Sequence, residues 1–111
     1  MKYELADRAV EAGVEQMLCT QVISMQNRGL VPNKEGSIAK LFSSELDVRI
    51  AGTAMNALGL YGQLNRNSEY SQLNGRAASA YSYATTSTVG GGTSEIQRNI
   101  IAARGLGLPR D

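Results

Sequence analysis

The fold of this chain follows from residues 35–59, which read EGSIAKLFSSELDVRIAGTAMNALG. Apolar side chains recur there at every fourth position, at Ile38, Phe42, Leu46, Ile50, Ala54 and Leu58. This spacing places one apolar stripe along an α-helix. The pattern predicts a helix over 35–59, about 37 Å long at 1.5 Å per residue. Asn33 is its expected N-cap, and Gly59 and Gly62 its expected end.

The preceding segment predicts a second long helix, from Tyr3 to Asn27. Its expected apolar face is Val10, Val14, Met17, Leu18, Val22 and Met25. Gly29 and Pro32 follow and favour a stop. Because only residues 28–33 join the two helices, we expect an antiparallel helical hairpin.

A row of polar side chains occupies the other side of this first helix: Glu4, Asp7, Arg8, Glu11 and Glu15. Such a row could indicate acid–base chemistry or a metal site. The chain contains no histidine and the helix pattern is unbroken, so we expect the ordinary solvated face of an amphipathic helix. Cys19, next to the apolar stripe, is expected to act as a small hydrophobic residue.

Residues 63–89 are dominated by Asn, Ser, Gly, Thr and Tyr. This composition predicts one short helix, from Arg76 to Ala84, between loops over 64–74 and 85–92. A connection of this length usually serves a site or a partner. Four of the five tyrosines lie between Tyr61 and Tyr83, which favours a contact surface. A partly disordered linker is the alternative.

The run Gly90-Gly91-Gly92 leads into a predicted last helix from Glu95 to Arg104. Ser94 and Gln97 have capping-box spacing, and Thr93 is a competing N-cap. The free amides of a first turn favour hydrogen-bond acceptors and negative charge. Neither phosphate-loop fingerprint fits, because no lysine follows the last glycine and no strand precedes the run.

Gly105 is the predicted C′ glycine of this last helix. Leu106, one residue beyond it, is placed for the hydrophobic contact of a Schellman ending.

Composition narrows the functional classes. The chain has 111 residues, 11 basic and 10 acidic side chains, a net charge of +1, one cysteine and no histidine. These values predict one small domain without a nucleic-acid patch, an internal disulfide, histidine catalysis or most zinc sites. No apolar run approaches the roughly 20 residues of a membrane span. We expect a cytoplasmic protein with neither a membrane nor a nucleic acid as its partner.

Two motifs carry a resemblance to a known family. Residues 91–102 read GGTSEIQRNIIA and residues 104–110 read RGLGLPR, and this run resembles the C-terminal end of acyl-CoA dehydrogenases. The segment SIAKLF at 37–42 resembles the start of a long helix in the same domain. The resemblance implies an all-α fold, a long antiparallel hairpin plus short helices within a C-terminal four-helix bundle. Residues 1–111 would form one partial domain whose first helix precedes Met1.

The resemblance also implies a flavin site. In that family FAD lies between a β-domain and this helical domain, partly contacted by a neighbouring subunit. A base takes the α-proton of a CoA thioester while a hydride passes to the flavin. Cofactor-binding positions carried over to this chain are Thr93, Ser94 and Glu95 at the last helix, and Asn56 and Gly59 in a second turn.

Two departures from the family pattern stand out. Asn56 replaces the more usual glutamine, and Gly91 stands where many members place the glutamate base. Glycine cannot accept a proton, so the resemblance implies no catalytic residue in this chain.

Two function classes therefore stay open. The first is a flavin-dependent oxidoreductase domain of fatty acid metabolism that contributes flavin-binding and oligomerisation surface and is inactive alone. Its partner would be a second copy in a homodimer or tetramer, or a larger acyl-CoA dehydrogenase subunit, and acyl-CoA would bind only the full assembly. The second is a stand-alone homo-oligomeric helical interaction module without flavin.

Overall fold

The computed structural model describes residues 1–109; Arg110 and Asp111, at the end of the resembling run, lie outside them. The described part contains helices and no strand, which confirms the all-α prediction. The four α-helices are α1 (Lys2–Asn27), α2 (Asn33–Leu58), α3 (Arg76–Ser87) and α4 (Ser94–Ile100). Two 3₁₀ turns cover Gly59–Gln63 and Gln72–Gly75, and one π turn, Ile101–Gly105, follows α4.

The predicted antiparallel hairpin of α1 and α2 is confirmed. Helix α1 ends in a Schellman turn: Gly29 has φ +73°, and the Leu30 amide donates to the Met25 carbonyl over 3.0 Å. The predicted cap of α2 is wrong, since Pro32 occupies the N-cap and Asn33 is the first helical residue. The Asn33 side chain instead accepts a hydrogen bond from Arg104 over 2.9 Å.

Helix α2 is the centre of the fold, because α1, α3 and α4 all pack on it. Among the described residues Leu46 is the one large side chain that is fully buried, whereas Ile50 on the predicted stripe is 41% exposed. The other buried apolar residues are alanines, at Ala39, Ala51, Ala77 and Ala84. The single-stripe prediction is therefore only partly right: a helix with neighbours on several sides buries small residues outside its main stripe.

The prediction of a solvated polar row on α1 is right for Asp7, which is exposed, and wrong for the other four residues of the row. Positions 4, 8, 11, 15, 18, 22 and 25 form a heptad row that faces α2, and the first four of them are charged. Across the contact lie three polar partners on α2: Ser43, Arg49 and Thr53. We call Glu4, Arg8, Glu11 and Glu15 with these three partners the polar seam.

The polar seam contains both hydrogen bonds and ion pairs. Glu11 pairs with Arg49 over 3.1 Å and with Arg8 over 2.9 Å. Glu4 accepts a hydrogen bond from Thr53 over 3.0 Å, and Glu15 accepts one from Ser43.

The rotation that places charges in the seam leaves apolar side chains outside it. Val10, Val14 and Met17 are 68%, 40% and 74% exposed, although the sequence pattern predicts them on the packed face. Tyr3 lies on the same side of α1, at i−7 from Val10, and is also exposed. We call these four residues the outer row. Cys19 is exposed too, so it does not serve as a buried hydrophobic residue.

The segment between α2 and α4 is more ordered than predicted. Helix α3 extends to Ser87, three residues beyond the expected end, and the expected loop contains the turn Gln72–Gly75. Gly75 has φ +68°, and a Cβ there would lie 2.5 Å from the Arg66 amide nitrogen, so only glycine fits. The tyrosines from Tyr61 to Tyr83 are all more than half exposed, which leaves the contact-surface prediction open.

The chain is elongated and exposes much of its surface. Its radius of gyration is 17.0 Å, against about 13 Å for a compact domain of this length. Its accessible surface is 7765 Å², against about 6,000 Å² for a folded monomer of this mass. None of the described helices combines the length and apolar character needed to cross a membrane.

Candidate functional site

The glycine turn, Gly90–Gly92, is the candidate functional element. Gly91 and Gly92 have φ of +73° and +103°, a conformation that other residues rarely adopt. A Cβ on Gly92 would lie 2.8 Å from the Gln97 amide nitrogen, whereas one on Gly91 would meet no atom within 4 Å. The turn is therefore closely packed at Gly92 and open to approach at Gly91.

The residues after the turn form the start of α4. Thr93 is the N-cap, and its hydroxyl accepts from the Ile96 amide over 3.4 Å. Ser94 is the first helical residue, so the capping box of Ser94 and Gln97 is not formed. The Gln97 side chain is buried and donates instead to the Gly91 carbonyl over 3.0 Å.

The far end of α4 also differs from the prediction. Gly107, with φ +69°, is the left-handed glycine there, rather than Gly105. The Leu106 and Leu108 amides both donate to the Ala102 carbonyl, over 3.2 and 3.1 Å. The π turn widens the last helical turn and so moves the ending along the chain.

Glu95 places a negative charge at the exposed start of α4. Its carboxylate accepts hydrogen bonds from its own backbone amide and from the Thr93 hydroxyl, and these bonds, together with the charge of Arg98, lower the pKa of Glu95 below the ordinary 4.5. The position is also favoured by the helix dipole. Glu95 is therefore ionised at neutral pH.

Helix α2 holds the glycine turn and α4 in place. The Lys40 ammonium donates to the Gly92 carbonyl over 2.7 Å, from a position 52 residues earlier in the chain. Farther along α4, Arg98 forms an ion pair with Glu45. The contacts of Lys40 and Glu45 were not predicted from sequence, because no local pattern marks contacts between residues more than fifty positions apart. Gln97 was predicted as a capping residue, but its bond to the Gly91 carbonyl was not.

The second predicted flavin turn lies elsewhere. Asn56 and Gly59 are exposed at the C-terminal end of α2, where Gly59 has φ +55°. Asn56 is sixteen positions beyond Lys40 on the same helix, which corresponds to about 24 Å along the axis. The fold therefore does not bring the two predicted flavin-contacting segments together within one chain.

No side chain with proton-accepting chemistry stands at Gly91. The described residues also contain no group of three or more acidic, cysteine or histidine side chains that could hold a metal ion. The site offers backbone amides, two hydroxyls and one carboxylate, which are groups that bind a ligand by hydrogen bonds.

Two long antiparallel helices with shorter helices packed on the second define a helical-bundle domain that carries a glycine turn. The family model "Acyl-CoA dehydrogenase, C-terminal domain" matches residues 1–106. The chain belongs to the acyl-CoA dehydrogenase family and corresponds to its C-terminal domain. This confirms the family and fold predicted from the glycine-turn motif and does not favour the alternative of a stand-alone interaction module without flavin.

Curated relatives agree with this assignment. Acyl-CoA dehydrogenase FadE26 of Mycobacterium tuberculosis is 40% identical over 76 residues, which cover 68% of this chain and 19% of the relative. An acyl-CoA dehydrogenase of Bacillus subtilis is 33% identical over 107 residues, covering 96% of this chain and 26% of the relative. The chain thus spans about a fifth to a quarter of the length of these relatives.

Solved structures show the same fold. The ChsE4–ChsE5 complex from Mycobacterium tuberculosis superposes with a TM-score of 0.89 at 34% identity, over 99% of this chain and 28% of that one. The Tcur3481–Tcur3483 steroid ACAD superposes with a TM-score of 0.93 at 22% identity, over 99% and 29%, and shows the fold alone.

Proposed function

We propose that this chain supplies part of the flavin-binding surface of an FAD-dependent acyl-CoA dehydrogenase, through the glycine turn and the start of α4. The observation that carries the proposal is the open backbone at Gly91 beside an exposed helix start. A planar polar group can approach a glycine backbone closely. Family membership makes FAD the group to expect, and the cytoplasm and fatty acid metabolism the setting.

The polar groups at the start of α4 fit some parts of FAD better than others. Thr93 and Ser94 bring hydroxyls, and the amides of the first turn have no helical partner. Glu95 is anionic at neutral pH, so it repels a phosphate and accepts hydrogen bonds from hydroxyl or N–H groups. These residues therefore fit the uncharged, donor-bearing parts of FAD better than its pyrophosphate.

Bound FAD would supply the hydride acceptor for oxidation of an acyl-CoA thioester, while this chain binds and orients the cofactor. Gly91 cannot take the α-proton, so we propose that these residues have no acyl-CoA dehydrogenase activity alone. Asn56 lies about 24 Å along α2 from Lys40, the residue that contacts the glycine turn, and Gly59 lies farther still. We assign them to a flavin shared with a neighbouring subunit.

The exposed surface supports assembly with a partner. The surface exceeds that of a compact monomer of this mass by about 1,800 Å², and a stable interface needs about 800 Å² per partner. The outer row of α1 supplies apolar side chains for such a contact. We propose a homodimer or tetramer, or assembly with a larger acyl-CoA dehydrogenase subunit, with acyl-CoA bound only in the full assembly.

Flavin retention tests the proposal. The chain is mixed with FAD, alone and with a full-length acyl-CoA dehydrogenase subunit, and flavin absorbance is followed through gel filtration. We expect the mixed sample to retain more flavin than the full-length subunit retains by itself, and Glu95→Lys to weaken binding because it removes the acceptor. Glu69→Lys, an equal charge change at another exposed position, is the matched control.

Two results would contradict the proposal. Flavin binding would be excluded if the chain alone were colourless and the mixed sample held no more flavin than the full-length subunit by itself. A stable colourless oligomer of the chain alone by light scattering would favour the interaction module. Equal weakening by Glu95→Lys and Glu69→Lys would exclude the start of α4 as the contact.

A further inference from the structure

The backbone carbonyls of Gly91 and Gly92 both accept hydrogen bonds from side chains of packed helices. The Gly92 carbonyl accepts from the Lys40 ammonium over 2.7 Å, and the Gly91 carbonyl accepts from the Gln97 amide over 3.0 Å. Lys40 comes from α2 and Gln97 from α4, and Gln97 is only 5% exposed. Two consecutive peptide groups are thus oriented by donors from two different helices.

The direction of a carbonyl fixes the direction of the next amide. In a planar trans peptide the C=O of one residue and the N–H of the next point to opposite sides. The Gly92 carbonyl points toward the Lys40 ammonium. The Thr93 amide belongs to the same peptide group and therefore points away from the ammonium. The Gly92 amide, opposite the Gly91 carbonyl, reaches the Val89 carbonyl over 3.3 Å and closes the turn.

We propose that Lys40 is a positioning residue for the flavin-contacting segment: it draws the Gly92 carbonyl inward and so turns the Thr93 amide outward as a donor. The flavin part of this inference rests on the function proposed above. A hydrogen bond from a charged donor is stronger than one between neutral groups. Lys40 therefore holds this peptide more firmly than Gln97 holds its neighbour.

A purely structural role for Lys40 would be to tie α4 to α2. The ion pair of Arg98 and Glu45 ties the same two helices and touches neither glycine carbonyl. Glu45→Gln therefore weakens this tether, since it removes the charge of the pair, without altering the turn, and it is the matched control for Lys40→Met. Lys40→Arg keeps the charge and the donor and serves as the rescue variant.

The test is by NMR on the 111-residue chain and its variants, with circular dichroism to check helix content. In Lys40→Met we expect the Gly92 carbonyl ¹³C shift to move upfield and the Gly92 amide to exchange on the order of tenfold faster. Lys40→Arg should restore the shift toward the original value, and Glu45→Gln should leave it unchanged. If Lys40→Met does not fold, Lys40→Gln takes its place.

FAD titration, under whichever condition the unmodified chain binds it, is the second readout. Lys40→Met should weaken FAD binding on the order of tenfold and Glu45→Gln by less than about twofold. An unchanged Gly92 shift in Lys40→Met, or equal changes in Lys40→Met and Glu45→Gln, would overturn the inference. Absence of FAD binding by the unmodified chain would contradict the proposed function, while the ¹³C shift would still decide whether Lys40 holds the turn.

Discussion

Helix α2 presents two different surfaces to its neighbours. Toward α1 it offers Leu46 between polar groups, with Arg49 and Thr53 bound to carboxylates of α1. Toward α3 it offers small side chains such as Ala51, which share a shallow groove with alanines of α3. Both flanks are helix–helix contacts in one small chain, yet one is partly ionic and the other is built from alanines.

The difference shows what fixes the orientation of each helix that packs on α2. Alanines let two helix backbones approach closely but distinguish poorly between rotations of a helix, because their side chains are alike. The polar seam does distinguish them, since a carboxylate such as Glu11 must face Arg49. The seam therefore sets the rotation of α1 and, as a result, leaves the outer row exposed.

The largest effect is expected at Leu46, the fully buried side chain between the polar pairs. Leu46→Ala should lower the free energy of unfolding by about 2–5 kcal/mol, because it leaves a cavity on the α1 flank. Chemical denaturation followed by circular dichroism measures this loss. Ile50→Ala, at a position that is 41% exposed, is the control. A loss below about 1 kcal/mol for Leu46→Ala, no larger than that for Ile50→Ala, would contradict the prediction.

The alanine flank should be sensitive to size rather than charge. Ala84→Leu should destabilise by about 1–3 kcal/mol, because the larger side chain forces α3 away from α2. Ala12→Leu makes the same change on the exposed side of α1 and should be nearly neutral. The denaturation midpoints of both variants check this, and a neutral Ala84→Leu would mean that α3 is not closely packed.

The smallest effect is expected for the ionic pair itself. A double-mutant cycle of Glu11→Gln and Arg49→Gln should give a coupling of about 0.5–1 kcal/mol, which decreases as salt is added because both groups are partly exposed. The pair formed by the sequence neighbours Lys34 and Glu35 is longer, at 3.8 Å, and its lysine is half exposed, so it should give a coupling near zero. Similar couplings for the two pairs would show that the ion pair across the polar seam contributes no more than a local pair within α2.

Local patterns were sufficient to predict the helices. The four-residue recurrence around Leu46 and the glycines after each helix are short-range signals, and all four helices lie close to their expected bounds. The rotation of α1 could not be predicted, because burial of Val10 and burial of Glu11 are both consistent with a helix. Only the positions of Arg49, Ser43 and Thr53 on the other helix decide between them.

The candidate site could also be predicted only in part, because only those of its features that depend on neighbouring residues leave a pattern in the sequence. The motif around Thr93 marks the turn and the helix start, since both depend on neighbouring residues. Of the two cap candidates Thr93 takes the N-cap, and the Gln97 side chain donates to the Gly91 carbonyl, a contact that the sequence does not indicate. The roles of Asn56, Gly59 and the other flavin positions stay predictions.

The separation of 52 positions between Lys40 and Gly92 also bears on the order of folding. Helices α1 and α2 are joined by five residues, so their contacts close a short loop and form early. The bond from Lys40 closes a much longer loop and must wait for α3 and α4 to dock. The glycine turn is thus expected to acquire its shape in the last step of folding and to lose it in the first step of unfolding.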